Sequence, residues 1–218
     1  MVTGAHAIAS VLVTTLVAGT ARGGEIVTHA PSTIEQAFRA GQAAETAGDL
    51  RAARAEYEHG VALGRAALAA NPDARDALLW LPANLARAAL TRSKLHALRV
   101  IPEVETTLLR LERLDPGYDH AAAARALANL YWRAPALISV GSAKKAAQYF
   151  SLALARDGAF PGNQAQAAAF FADQDDCARA RRLAEAVARR VDLDSFGPDA
   201  AEWRALAQST LRICGESR

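Results

Sequence analysis

Aromatic side chains are scarce in this chain, at 6% of 218 residues, and of its 25 basic residues just 3 are lysine. The net charge of +2 at pH 7 is too small to select a partner by its field, and too balanced for a dedicated nucleic-acid binder. Two cysteines are too few for a metal site, which needs more ligands at closer spacing. Catalytic constellations are missing too. His6, His29, His59, His96 and His120 have no metal-ligand spacing, and there is no H-E-x-x-H, no G-x-S-x-G elbow and no phosphate-binding loop. Gly141-Ser142-Ala143-Lys144 reads instead as Ser142 capping a helix. Glu103 and Glu105, two apart, fall on different helix faces. These absences leave little for an enzyme, a cofactor or a metal, with a hydrolase built from scattered carboxylates as the third of three functional readings.

What the chain has is alanine, 54 residues of 218, within an apolar content of 51%. That content excludes a disordered chain. So much alanine with few β-branched residues points to close-packed helices and an all-α fold.

Residues 1–21 differ from the rest. Ala7 to Ala18 are almost all small or apolar, and Gly19-Thr20-Ala21 supplies the small residues a signal peptidase accepts. The stretch is shorter than the roughly 20 residues of a membrane-spanning helix. It reads as a secretory signal followed by a linker over 22–29, with an uncleaved N-terminal anchor as the other reading. Export would place Cys177 and Cys214 in an oxidising compartment, where a disulfide between them is expected. Two separate buried thiols are the alternative.

An internal repeat carries the architecture over 30–218. Ala37, Ala40, Gly41 and Ala44 share helical spacing, Gly48-Asp49-Leu50 makes a turn, and Ala53, Tyr57 and Gly60 follow. This is the tetratricopeptide pattern, in which small residues sit where two antiparallel helices cross. The pattern returns in Leu127, Ala128 and Tyr131 with Ala146, Phe150 and Ala153, and again in Ala168 and Phe171 with Ala180, Ala184 and Val187. Between them a degenerate unit has stripes Leu78, Leu81, Leu85, Ala88 and Ile101, Val104, Leu108, Leu111. Pro102 suits the first turn of its second helix. A last amphipathic helix from Pro198 to Cys214, with Trp203, Leu206 and Leu211 on its buried side, caps the stack. About nine helices in four stacked antiparallel hairpins plus a C-terminal cap are expected.

Departures from a plain repeat mark candidate functional positions. Pro82 lies inside a helical stripe, where a kink or break is expected, with Trp80, Asn84 and Arg87 beside it. That set reads either as a pocket wall, or as core for Trp80 and solvated face for Arg87. The turn after Tyr131 is long and apolar from Ala134 to Val140, so it either folds back onto its own repeat or lines a ligand or partner surface. Arg179, Arg181, Arg182, Arg189 and Arg190 form a basic cluster without an aromatic platform, which reads as a solvated face.

The middle of the chain resembles a known family. Trp80, Asn84, Leu85 and Arg87 fit the W-x-x-x-N-L-x-R helix of the T-component of TRAP-type transporters. The segment from Leu111 to His120 is similar to the family's second signature, and Asn129-Leu130-Tyr131-Trp132-Arg133-Ala134-Pro135 to its third. The resemblance, over about residues 35–192, implies a periplasmic, all-helical protein of degenerate tetratricopeptide hairpins. It implies a substrate-binding protein of the transporter as partner, assembly of several copies around a pore-like cavity, and an apolar or organic-acid ligand. It places Trp80, Asn84, Arg87, Tyr131 and Trp132 at motif positions, and Leu137 and Ile138 in the matching apolar loop. The leading expectation is thus a non-enzymatic accessory protein of such a transporter. The alternative is a general periplasmic scaffold that binds peptide or protein partners in the concave groove of its repeats. An elongated apolar cavity near Trp80 and Leu137 favours the first, and a polar concave groove the second.

Overall fold

A computed structural model describes residues 32–216. The signal and linker expected over 1–21 and 22–29 lie outside the described residues. Among the described residues there are nine α-helices, one 3-10 turn and no strand: α1 Thr33–Thr46, α2 Leu50–Ala70, α3 Arg75–Arg92, α4 Lys94–Leu114, α5 Tyr118–Arg133, α6 Ala143–Arg156, α7 Pro161–Asp173, α8 Cys177–Ala188 and α9 Ala200–Glu216. No helix among them is long and apolar enough to cross a membrane. The fold is the all-α stack of antiparallel hairpins that the repeats imply. Helices α1 and α2 pair, as do α3 and α4, α5 and α6, and α7 and α8, while α9 packs on α7 and α8. The odd-numbered helices also form a continuous layer, α1 on α3, α3 on α5, α5 on α7 and α7 on α9.

Helix starts follow local chemistry. Ser32, Asp49, Ser93, Ser142 and Asp176 each accept a hydrogen bond from a backbone N–H of the turn they open. Both stripes of the degenerate unit are buried in full, Leu78 to Ala88 in α3 and Ile101 to Leu111 in α4. Both prolines lie inside helices. Pro82 does not break its helix: α3 runs unbroken from Arg75 to Arg92. Pro102 is not in a first turn but at the ninth position of α4. Each proline forgoes one backbone bond; Pro82 is fully buried among the surrounding helices, whereas Pro102 is exposed.

Small residues set the helix spacing. A Cβ built on Gly60 would stand 2.3 Å from Asn84 Oδ1, and one on Gly64 2.8 Å from Leu81 Cβ, so α2 meets α3 at van der Waals distance. The buried stripe of α9 is Ala200, Trp203, Ala207, Thr210 and Cys214. Leu206 and Leu211, expected on that side, are half-buried beside it. Cys177 and Cys214 form a disulfide that ties α8 to α9 across 37 positions. Loop entropy gives such a bridge about 4 kcal/mol.

Helix α5 opens unusually. Asp119, His120 and Ala121 all have left-handed backbone, with φ of 46°, 58° and 60°. That conformation is unfavourable for non-glycine residues, so the surroundings must impose it. The His120 carbonyl accepts from buried Asn163 Nδ2 at 3.0 Å and from Arg125 at 3.2 Å, and the His120 ring stacks on Phe160 at 4.1 Å.

Gly60→Ala is expected to cost about 1–3 kcal/mol by overpacking the α2–α3 contact. Gly117→Ala, whose added methyl meets nothing closer than 4.0 Å, should stay within about 0.5 kcal/mol of the parent. Urea denaturation of the two variants side by side checks both values.

Candidate functional site

A cavity of about 470 Å³ lies among the odd-numbered helices and forms a groove. Its first half is Phe38 of α1, Arg87 of α3, and Asn129, Trp132 and Arg133 of α5. Gln166 and Ala169 of α7, with Glu202 and Leu206 of α9, make the rest. Five helices thus contribute, each through residues beside its own core stripe. Phe38 follows buried Ala37, Asn129 follows Ala128, Trp132 follows Tyr131, Gln166 follows Ala165 and Ala169 follows Ala168. In α1, α5 and α7, residues that directly follow a buried one thus face the groove.

The walls are held by polar bonds. Trp132 Nε1 donates to Asp173 at 2.8 Å, and the Arg133 guanidinium covers the Trp132 ring at 4.3 Å from its centroid. Asn129 Nδ2 donates to the Arg125 carbonyl at 2.9 Å and to Gln166 Oε1 at 2.6 Å. Among the described residues, Asn129 Oδ1 and Gln166 Nε2 then remain as one acceptor and one donor on adjacent helices. Arg87 pairs with Glu45 at 2.5 Å and lies over the Tyr57 ring. Burial raises the Tyr57 phenol above its ordinary pKa, and its hydroxyl donates to Glu45 at 2.8 Å.

The first and last walls are joined by an ion pair. Arg39, next to Phe38, donates to both carboxylate oxygens of Asp199, at 2.5 and 3.0 Å, across 160 positions of sequence. Asp199 directly precedes α9 and accepts through its own carbonyl from Trp203 N–H. Arg39 also pairs with Glu35 at 3.3 Å and stacks on Trp80 at 5.3 Å. Burial works against its charge, but the bonds to Asp199 and Glu35 outweigh that and hold its pKa above the usual value. Deeper in the same layer, burial lowers the pKa of Arg125, against the pull of Asp119, Asp199 and Asp157.

The residues singled out in the sequence divide four ways. Arg87 and Trp132 line the groove. Asn84 and Tyr131 are core: Asn84 donates to Ile34 and Trp80 carbonyls, and the Tyr131 hydroxyl donates to Glu105 at 2.7 Å. Trp80 is half-buried behind the wall, between Phe38 and the Leu78 cluster. Leu137 and Ile138 are neither groove nor core, standing 99% and 71% exposed on the α5–α6 turn. That turn does not fold back onto its repeat through those two residues. Phe38, Gln166, Ala169 and Glu202 escaped sequence reasoning, and Asn129, Arg133 and Leu206 were named there without a place in the site. Among the described residues no cluster of three His, Cys, Asp or Glu could hold a metal.

Comparison with solved structures finds TTC0263, a thermophilic TPR protein of Thermus thermophilus, at 15% identity and a TM-score of 0.55, over 82% of this chain and 99% of that one. The MamA protein matches at 17% identity and a TM-score of 0.41, over 83% and 87%. No family model and no curated protein matches the chain. The likeness to TTC0263 establishes a tetratricopeptide-type fold, and it carries nothing of the transporter family that the sequence signatures resemble.

Arg39→Ala is expected to release α1 from the α9 end. Amide exchange in α1 should accelerate roughly fivefold, equivalent to about 1 kcal/mol, while α5 and α7 stay unchanged. Hydrogen-exchange mass spectrometry reads this directly.

Proposed function

We propose that this protein is a non-enzymatic interaction scaffold that grips an extended segment of a protein partner in the groove of its odd-numbered helices. The observation that carries the reading is the groove lining: it holds apolar Phe38, Trp132 and Leu206 together with amide groups of Asn129 and Gln166 that have no other partner among the described residues. An extended peptide offers one N–H and one C=O per residue, which suits an acceptor and a donor held on adjacent helices. Apolar side chains supply burial, and the amides supply register. Tetratricopeptide-type folds are stacks whose concave faces are suited to this task. The Cys177–Cys214 disulfide supports an exported location, since such bridges persist in oxidising compartments.

A second reading is favoured by one observation. The exposed Leu137–Ile138 tip is an apolar docking element outside the groove. It suits the transporter-accessory role, in which this turn would meet a substrate-binding subunit or another copy of the chain and Arg87 and Trp132 would face an apolar or organic-acid ligand.

Two variants separate the readings. Ala169→Trp fills the groove, and Leu137→Ser with Ile138→Ser blunts the tip. On a tiled peptide array followed by fluorescence anisotropy, the groove variant is expected to lose at least tenfold in affinity and the tip variant to bind normally. The opposite pattern, with circular dichroism unchanged, transfers the function to the tip.

A further inference from the structure

Once the internal bonds of the groove are subtracted, two full charges of opposite sign are left on it. Arg87 is committed to Glu45, and Arg39, behind Phe38, to Asp199 and Glu35. Arg133 has no carboxylate partner among the described residues, yet it is not loose: its guanidinium rests on the Trp132 ring at 4.3 Å. That stacking occupies the face of the guanidinium and leaves its N–H edge to a ligand. Glu202, exposed in the first turn of α9, has no cationic partner among the described residues. Both side chains line the same cavity of about 470 Å³, from different helices, with Leu206, Ala169 and the Asn129–Gln166 pair also on its walls.

These charges are costless while water covers them. A segment laid over the groove removes that water, and any charge it covers without answering is left unpaired at a desolvation penalty. A neutral segment leaves two charges unanswered, and a segment of one sign leaves one unanswered and repels the same group. Only a segment of mixed sign restores both. Resting on the scaffold reading above, we propose that the groove selects an extended segment with an acidic side chain for Arg133 and a basic side chain for Glu202, small or apolar residues between them, and one order of the two charges preferred over the other. Charge complementarity here sets specificity, while the apolar walls and amides supply the sequence-independent part of the binding.

The test uses fluorescein-labelled octapeptides of Ala, Val and Ser carrying one Glu and one Arg, two to six residues apart, in both orders, with glutamine replacing either charge as controls. Anisotropy titrations against the whole protein should find one charge order bound at least tenfold tighter than its reverse and than either control, with the margin shrinking at high salt. The double variant Arg133→Glu with Glu202→Arg should invert the preferred order. If parent and double variant bind all peptides alike, while Ala169→Trp abolishes binding, the charge selection is overturned and the groove stands. If no peptide binds, or if Ala169→Trp leaves binding intact, both the selection and the groove reading fall.

Discussion

The carboxamide of Asn84 is wholly buried where α1, α2 and α3 meet, and the groove takes its geometry from that junction. Its Nδ2 donates across to the Ile34 carbonyl of α1 at 3.2 Å and within α3 to Trp80 at 2.9 Å, and Gly60 of α2 leaves the room its Oδ1 needs. Losing a buried partner of this kind costs about 1–3 kcal/mol, so the two Nδ2 bonds hold α1 on α3, while Oδ1 is buried without a hydrogen-bond partner among the described residues. Asn163 does the same further along. Its Nδ2 donates to carbonyls of His120, Ala153 and Asp157, and its Oδ1 accepts from Arg125. Two buried asparagines thus tie neighbouring helices together, Asn84 from the middle of α3 and Asn163 from the first turn of α7.

With α1 fixed on α3, the rest of the wall follows. Phe38 packs on Trp80 at 5.3 Å between centroids, and Arg39 is carried to where it meets Asp199. The bidentate bond between the first and last walls is geometric as much as energetic, because a guanidinium fork holds a carboxylate in one plane. At the other side Trp132 is braced by Asp173 and covered by Arg133. A groove whose walls are bonded before any ligand arrives loses little entropy on binding, which is what a peptide grip needs.

Much of the fold was legible because it depends on local periodicity. The stripes at Leu78–Ala88 and Ile101–Leu111 and the small residues Gly41, Ala53 and Gly60 are all buried as their spacing implies. Local rules misled at Pro102, where preference for a first turn was overridden by packing of a longer helix. The site was far less legible. Motif positions drew attention to Asn84 and Tyr131, whose value is structural, since a polar residue needed in a core is as distinctive in sequence as one needed at a surface. The true lining comes from five helices spread from Phe38 to Leu206, and no short motif spans that. A signal did exist: in α1, α5 and α7 the lining residue directly follows a buried one, so tabulating that register across the repeats would have found Phe38, Asn129, Gln166 and Ala169. The Arg39–Asp199 pair had no such signal, because its 160-residue separation is closed by the stack as a whole.

The central claim is that partners lie in the groove and not on the outer face of the stack. Site-specific incorporation of a photo-crosslinking benzoylphenylalanine tests it most directly, placed in turn at Leu206 in the groove and at Leu152 on the exposed face of α6. Irradiated in the cells that make the protein, the Leu206 position is predicted to yield a discrete covalent adduct whose crosslinked peptide maps to an extended segment of one partner, and the Leu152 position none. An adduct from Leu152 with none from Leu206 would contradict the account.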